Sequence, residues 1–103
     1  MYVLYPNALA LVLADHGMLL WFDPEAVGRT RIHSMMIVPR DQASRDRYWE
    51  KNEELFQVAL DEDYAIGEGI QDGMASRAHS TLRLATFERG IRLFHHVVDE
   101  SLR

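Results

Sequence analysis

Apolar stretches separated by turn signals dominate the chain before Pro39, and this pattern is typical of strands. Four such stretches lie at residues 2–5, 8–14, 18–22 and 31–38. The sequence Asp15-His16-Gly17 is a turn signal that predicts a hairpin between the second and third stretches. Breakers in residues 23–28 predict a loop before the last stretch. The simplest arrangement is an antiparallel meander of three strands, with residues 2–5 as a candidate fourth.

Helical spacing replaces this pattern after Pro39. If residues 52–73 form one helix, its inward face carries side chains at steps of three and four residues. These side chains are Trp49, Asn52, Phe56, Ala59, Leu60, Asp63, Ile66, Gly67 and Ile70. The sequence therefore predicts a long helix with one predominantly apolar face.

The expected limits of this helix come from capping residues and glycines. Asp41 or Ser44 is the expected N-cap, because a short side-chain oxygen satisfies free backbone N–H groups. Gly67 and Gly69 predict a bend or break, since each glycine costs about 1 kcal/mol relative to alanine in a helix interior. Gly73 is the expected end of the helix.

A second helix is predicted near the end of the sequence, after an irregular segment at residues 77–85. Thr86 is its expected cap, and its apolar face comprises Phe87, Ile91, Phe94, Val97 or Val98, and Leu102. Strands followed by helices predict an α+β fold, with an antiparallel sheet packed against a long helix and a C-terminal helix. The length predicts a single domain over residues 1–103.

Asp63 lies in the middle of the predicted inward face of the long helix. An unpaired buried carboxylate costs several kcal/mol or more, so it requires a cation, a cluster of donors or a metal ion. A metal partner would make the chain part of an enzyme. The alternative is an ordinary solvated acidic run, Asp61-Glu62-Asp63, which composition alone favours.

The histidines do not supply an evident metal site. His95 and His96 are adjacent on the predicted last helix and point about 100° apart. No two of the five histidines have the spacing that lets one helix present a pair of ligands. A complete metal site within one copy of the chain is therefore not expected.

Composition excludes several classes of function. The net charge of -5 argues against nucleic-acid binding, which needs clustered Lys and Arg. The absence of cysteine excludes disulfides, thiolate zinc sites and clusters held by Cys ligands, and it fits a cytoplasmic location. No apolar run approaches the roughly 20 residues that span a bilayer, so no membrane association is expected.

Three blocks of sequence resemble the large (alpha) subunit of Rieske-type aromatic-ring-hydroxylating oxygenases. The first is Tyr5-Pro6-Asn7 at the start of an apolar strand. The second is Glu62-Asp63-Tyr64, with residues 68–74 and Ser76-Arg77 after it, and the third is residues 87–91, followed by Phe94-His95. Their order and spacing are similar to those of the family. The resemblance implies the C-terminal part of that catalytic domain, a helix-grip, START-like sheet curved around a long helix.

The resemblance also implies a site. Asp63 would complete a mononuclear Fe(II) centre together with two histidines, while Asn52, Phe56, Ala59 and Leu60 would line the pocket for an aromatic or apolar substrate. The family's upstream His-x4-His pair and the Cys ligands of its cluster are not in this sequence. We therefore expect the carboxylate-bearing portion of a hydroxylating oxygenase, which binds no iron and is inactive by itself.

Two further expectations follow. A partial sheet leaves an open edge and an uncovered apolar face, so the chain is expected to form a homo-oligomer. The alternative function is a non-catalytic START-like module for ligand binding or dimerisation, in which Asp63 is an ordinary helix residue.

Overall fold

The structure of the chain is a computed structural model, which describes residues 1–78, 81 and 83–103. The chain divides into two compact units. The first comprises Met1–Ala43 with Leu84–Arg103, and the second comprises Ser44–Arg83. The expectation that residues 1–103 form a single domain stays a prediction.

The described elements are four strands, a short 3₁₀ turn and two α-helices. In chain order they are β1 (Tyr2–Leu4), β2 (Ala8–Val12), β3 (Gly17–Ala26), β4 (Arg29–Ile37), the 3₁₀ turn (Arg40–Gln42), α1 (Asp46–Ala75) and α2 (Arg89–Ser101). The strands form one antiparallel sheet in the order β1-β2-β3-β4. The predicted meander, its candidate fourth strand and the α+β class are confirmed. The packing of the sheet against the long helix stays a prediction.

The predicted loop at residues 23–28 is wrong for residues 23–26, because β3 continues to Ala26. Pairing between β2 and β3 ends at Ala8 and Trp21, whereas β3 pairs with β4 beyond that point, through Pro24 opposite Thr30. A proline lacks a backbone N–H and is tolerated on an edge that has no further neighbour. Residues 22–32 therefore form a two-stranded extension of the sheet, which we call the hairpin arm.

Asn7 belongs to the first family-like block and lies in the turn between β1 and β2. Two hydrogen bonds connect it to Phe22 on β3. The Asn7 side-chain Nδ2 donates a hydrogen bond of 2.9 Å to the Phe22 carbonyl oxygen. The Phe22 N–H donates one of 2.9 Å to the Asn7 carbonyl oxygen. This pair of bonds gives Asn7 a structural role at the base of the hairpin arm.

The core of the first unit is small and lies on β3, one of the two inner strands of the sheet. Met18 and Leu20 are 2% and 3% exposed, and they share one face because side chains alternate along a strand. Their register partners are Leu11 and Leu9 on β2. In contrast, Val3 on the edge strand β1 is 46% exposed.

Only the middle of the predicted apolar face of α2 is shielded from solvent. Phe94, Val97 and Val98 are half-buried, and the Phe94 ring lies 6.2 Å from the ring of Tyr5. Phe87 and Leu102, at the two ends of the predicted face, are exposed. Thr86 does not cap this helix, since the N-cap position is Glu88 and no side chain caps it.

The second unit is dominated by α1, whose limits differ from the predicted ones. The N-cap position is Arg45 with no side-chain cap, so the predicted caps Asp41 and Ser44 are wrong. The helix also runs through Gly67, Gly69 and Gly73 without a break. A glycine penalty of about 1 kcal/mol is smaller than the loss of the hydrogen bonds that an interrupted helix would leave unmade.

Candidate functional site

One face of α1 is shielded from solvent along its first five turns. Trp49 is buried, and Asn52, Phe56, Leu60 and Tyr64 are half-buried. These residues follow one another at steps of three and four, which places them on a single side of the helix. We call these five residues the helix stripe.

Asp63 does not belong to the helix stripe. It is exposed, and so is Ile66, three residues further along the helix. Tyr64 takes the position that the sequence assigned to Asp63. From Leu60, a step of three reaches Asp63 and a step of four reaches Tyr64, and both steps stay near one face. Placing the phenol ring on that face avoids the cost of dehydrating a carboxylate. The prediction that Asp63 is buried is therefore wrong, whereas its role as a metal ligand stays a prediction.

Two carboxylates, those of Asp61 and Asp63, act on Tyr64 at the C-terminal end of the helix stripe. The Asp61 carboxylate accepts a hydrogen bond of 2.7 Å from the Gln57 side chain. Burial, together with the carboxylates of Asp61 and Asp63, raises the pKa of the Tyr64 phenol above its ordinary value. The phenol therefore stays protonated at neutral pH and can donate a hydrogen bond.

The predicted substrate-binding residues divide between two positions on α1. Asn52, Phe56 and Leu60 lie together on the helix stripe, whereas Ala59 is exposed. The Asn52 Nδ2 donates a hydrogen bond of 2.8 Å to the Tyr48 carbonyl oxygen, so its amide is already oriented by the helix backbone. The stripe can offer two apolar side chains, an amide and a phenol to a ligand. Contact of these residues with a substrate stays a prediction.

The described histidines all lie in the first unit, whereas Asp63 lies in the second. His16 is held at 2.7 Å by Asp15, and His33 lies 3.0 Å from Asp23. His95 and His96 are exposed on α2. His79 is outside the described residues.

The described residues do not assemble a metal site by themselves. Among them, no group of three His, Asp or Glu side chains could hold a metal ion. Within the same part of the chain, the Asp63 carboxylate has no hydrogen bond or ion pair that would compete with a cation. Asp63 is therefore exposed and without such a partner among the described residues, and its role as a metal ligand stays a prediction.

A comparison with known protein families decides the affiliation. The family described as the ring-hydroxylating alpha subunit (catalytic domain) matches residues 1–103.

The chain belongs to this family. The resemblance seen in the three sequence blocks is therefore confirmed. Neither the curated proteins nor the solved structures gave a significant match.

Family membership makes the helix stripe and Asp63 part of the catalytic domain of a ring-hydroxylating oxidoreductase family. None of the described helices is long and apolar enough to cross a lipid bilayer. The cytoplasmic location stays a prediction.

The position of Tyr64 on the protected face of α1 and the structural role of Asn7 were not predicted from the sequence. The step of four residues from Phe56 through Leu60 to Tyr64 was visible in the sequence and could have indicated the first. No local signal indicates the second, because the partner of Asn7 is Phe22, 15 residues away.

Proposed function

We propose that the chain supplies the carboxylate ligand of a non-haem iron oxygenase that hydroxylates aromatic or other apolar substrates. The observation that carries this proposal is the family match over residues 1–103. Asp63 is the proposed ligand, because it is the Asp of the family-like Glu62-Asp63-Tyr64 block and its exposed carboxylate is open to a cation. Carboxylate oxygen is a suitable ligand in a site of two histidines and one carboxylate.

The iron belongs to the complete enzyme in this proposal, since the described residues do not complete its ligand set. Two histidines from outside the described residues would share the mononuclear Fe(II) with Asp63. This chain alone is expected to bind little or no iron. We use "assembled oxygenase" for the complete enzyme that contains this chain.

The helix stripe supports the substrate class. Phe56 and Leu60 provide apolar surface on the same face as the Asn52 amide, and pockets for small ligands are mostly apolar with a few oriented polar groups. We propose that Asn52, Phe56 and Leu60 contact the substrate, with Ala59 at the margin of the pocket.

A second candidate is a non-catalytic START-like module that binds an apolar ligand or mediates dimerisation. The exposure of Asp63 and the incomplete ligand set favour it, because a solvated carboxylate on a helix needs no metal. In this case the helix stripe would bind a ligand without transforming it.

Labelled dioxygen separates the two candidates. The assembled oxygenase is supplied with a reductant, a panel of aromatic compounds and dioxygen enriched in heavy oxygen, and the products are analysed by mass spectrometry. Hydroxylated products that carry the heavy isotope are expected. Ligands that bind, shown by calorimetry, but are recovered unchanged would contradict the oxygenase and support the module.

We also propose that the chain forms a homo-oligomer. On the first unit, Met1, Val3, Phe87, Ile91 and Phe94 line an apolar groove of about 420 Å³. The groove lies beside the edge strand β1, and unpaired strand edges with apolar side chains favour association. A second copy of the chain is the proposed occupant. Sedimentation at several concentrations is expected to show a dimer or larger species, and a monomer throughout would overturn the proposal.

A further inference from the structure

The apolar face of α2 is exposed to solvent at both of its ends. Ile91, Val98 and Leu102 follow one another at steps of seven and four residues, which places them along one line of the helix. Phe87, before the helix, is 96% exposed, and Leu102, directly after it, is 81% exposed. A surface that covered both ends at once would remove this apolar area from water.

The charged residues of α2 are arranged against the dipole of the helix. Arg89 and Arg92 lie in its N-terminal half, whereas Asp99 and Glu100 lie in its C-terminal half, and all four are exposed. The positive N-terminal end of a helix favours acidic side chains, and the negative C-terminal end favours basic ones. This arrangement is therefore unfavourable in a single copy of α2, and a neighbouring helix that runs in the opposite direction offsets it.

The apolar face of α2 matches itself when two copies run antiparallel. A two-fold axis beside the middle of the helix, between residues 94 and 95, places each residue opposite the one that lies equally far from the middle in the other copy. Ile91 then lies opposite the partner's Val98, and Phe87 lies opposite the partner's Leu102. The two exposed ends of the apolar face thus cover each other.

The same two-fold axis brings opposite charges together beside this face. Arg92 and Asp99 each follow one residue after a member of the apolar line, Ile91 and Val98, so they lie on the same flank of it. Across the axis, Arg92 lies within about 3 Å, measured along the helix, of the level of the partner's Asp99. Within one copy the two are separated by about 10 Å along the helix, and among the described residues neither forms an ion pair.

The apolar groove beside β1 provides the place for the partner's Leu102. Phe87 and Ile91 form part of the wall of this groove, which has a volume of about 420 Å³. Since Leu102 of the second copy lies opposite Phe87, it lies at this groove, and the symmetry repeats the contact at the other end of the pair. One antiparallel arrangement therefore accounts for the groove, the exposed ends of the apolar face and the placement of the charges.

We propose that α2 is the interface of the homo-oligomer, where it packs antiparallel against α2 of a second copy and Arg92 forms an ion pair with the partner's Asp99. This inference rests on the proposed homo-oligomer, and it is independent of Asp63 and of the oxygenase assignment.

Reversing and then exchanging the two charges in the full chain tests the interface. Sedimentation equilibrium gives the dissociation constant of the dimer for the unmodified chain, Arg92→Asp, Asp99→Arg and the double variant. Each single variant places like charges opposite each other in both symmetric pairs, and it is expected to raise the dissociation constant about tenfold. The double variant restores opposite charges, and its dissociation constant is expected to lie within about threefold of that of the unmodified chain.

Two controls exclude trivial causes of weaker association. Both single reversals suit the helix dipole better than the original residues do, so α2 itself is expected to persist, and far-ultraviolet circular dichroism checks this. Arg40→Asp makes the same change of charge as Arg92→Asp at an exposed position outside α2, and it is expected to leave the dissociation constant unchanged.

Each contrary result has a distinct meaning. Single variants that dimerise as well as the unmodified chain, or an equal loss in Arg40→Asp, would overturn the α2 interface and leave the homo-oligomer in place. A double variant as weak as the single variants would overturn the pairing of Arg92 with Asp99 and the antiparallel arrangement. An unmodified chain that is monomeric at every concentration would overturn the homo-oligomer itself, and this inference with it.

Discussion

Replacing Asp63 with alanine is expected to remove the iron and the hydroxylating activity of the assembled oxygenase. The physical reason is that the substitution deletes the proposed anionic ligand, and two neutral histidines then hold the metal alone. Loss of an outer partner of a metal ligand typically lowers affinity or activity by about 10- to 100-fold, and loss of the ligand itself is expected to exceed that. Elemental analysis gives the iron content of the purified enzyme, and product formation gives its activity.

The matched control is Glu62→Ala, on the preceding residue of the same helix. Both side chains are exposed, and alanine is favourable in a helix, so neither substitution should unfold α1. Only Asp63→Ala is expected to lose iron. Retention of full iron content by Asp63→Ala, or an equal loss in Glu62→Ala, would remove Asp63 from the ligand set.

Leu20→Ala is expected to lower the free energy of unfolding by about 2–5 kcal/mol, the range for a buried leucine truncated in a core. Leu20 is 3% exposed on the inner strand β3, and Met18 is the other buried side chain described in the first unit. With so few buried groups, a cavity at Leu20 removes a large part of the apolar packing. Natural domains have only about 5–15 kcal/mol of stability in total, so this loss removes a large share of it.

Urea denaturation followed by circular dichroism measures this loss. Leu93→Ala on α2 is the control, since Leu93 is 63% exposed and exposed substitutions usually stay within about 0.5 kcal/mol. Equal losses for Leu20→Ala and Leu93→Ala would show that the core of the sheet is not centred on β3.

The sequence predicted those elements whose signals are local. Apolar stretches bounded by turn residues are enough to locate the strands, and helical spacing is enough to locate α1. The continuation of β3 through Pro24 was not predictable in this way, because it depends on where the distant strand β2 stops pairing. The limits of α1 were missed because its N-cap, Arg45, contributes no side-chain cap.

The part of the candidate site that depends on local helical spacing was also predicted from the sequence. Steps of three and four correctly grouped Asn52, Phe56 and Leu60 on one side of the helix. They could not distinguish Asp63 from Tyr64, because both lie close to the line of the stripe. The cost of removing water from the Asp63 carboxylate decides which of the two side chains lies on the protected face. The spacing of residues along the helix carries no information about that cost.

The most direct test of the central claim is a crystal structure of the assembled oxygenase with anomalous diffraction recorded at the iron edge. We expect a single iron whose protein ligands are two histidines and a carboxylate oxygen of Asp63. An iron bound by another carboxylate, with Asp63 facing solvent, would contradict it.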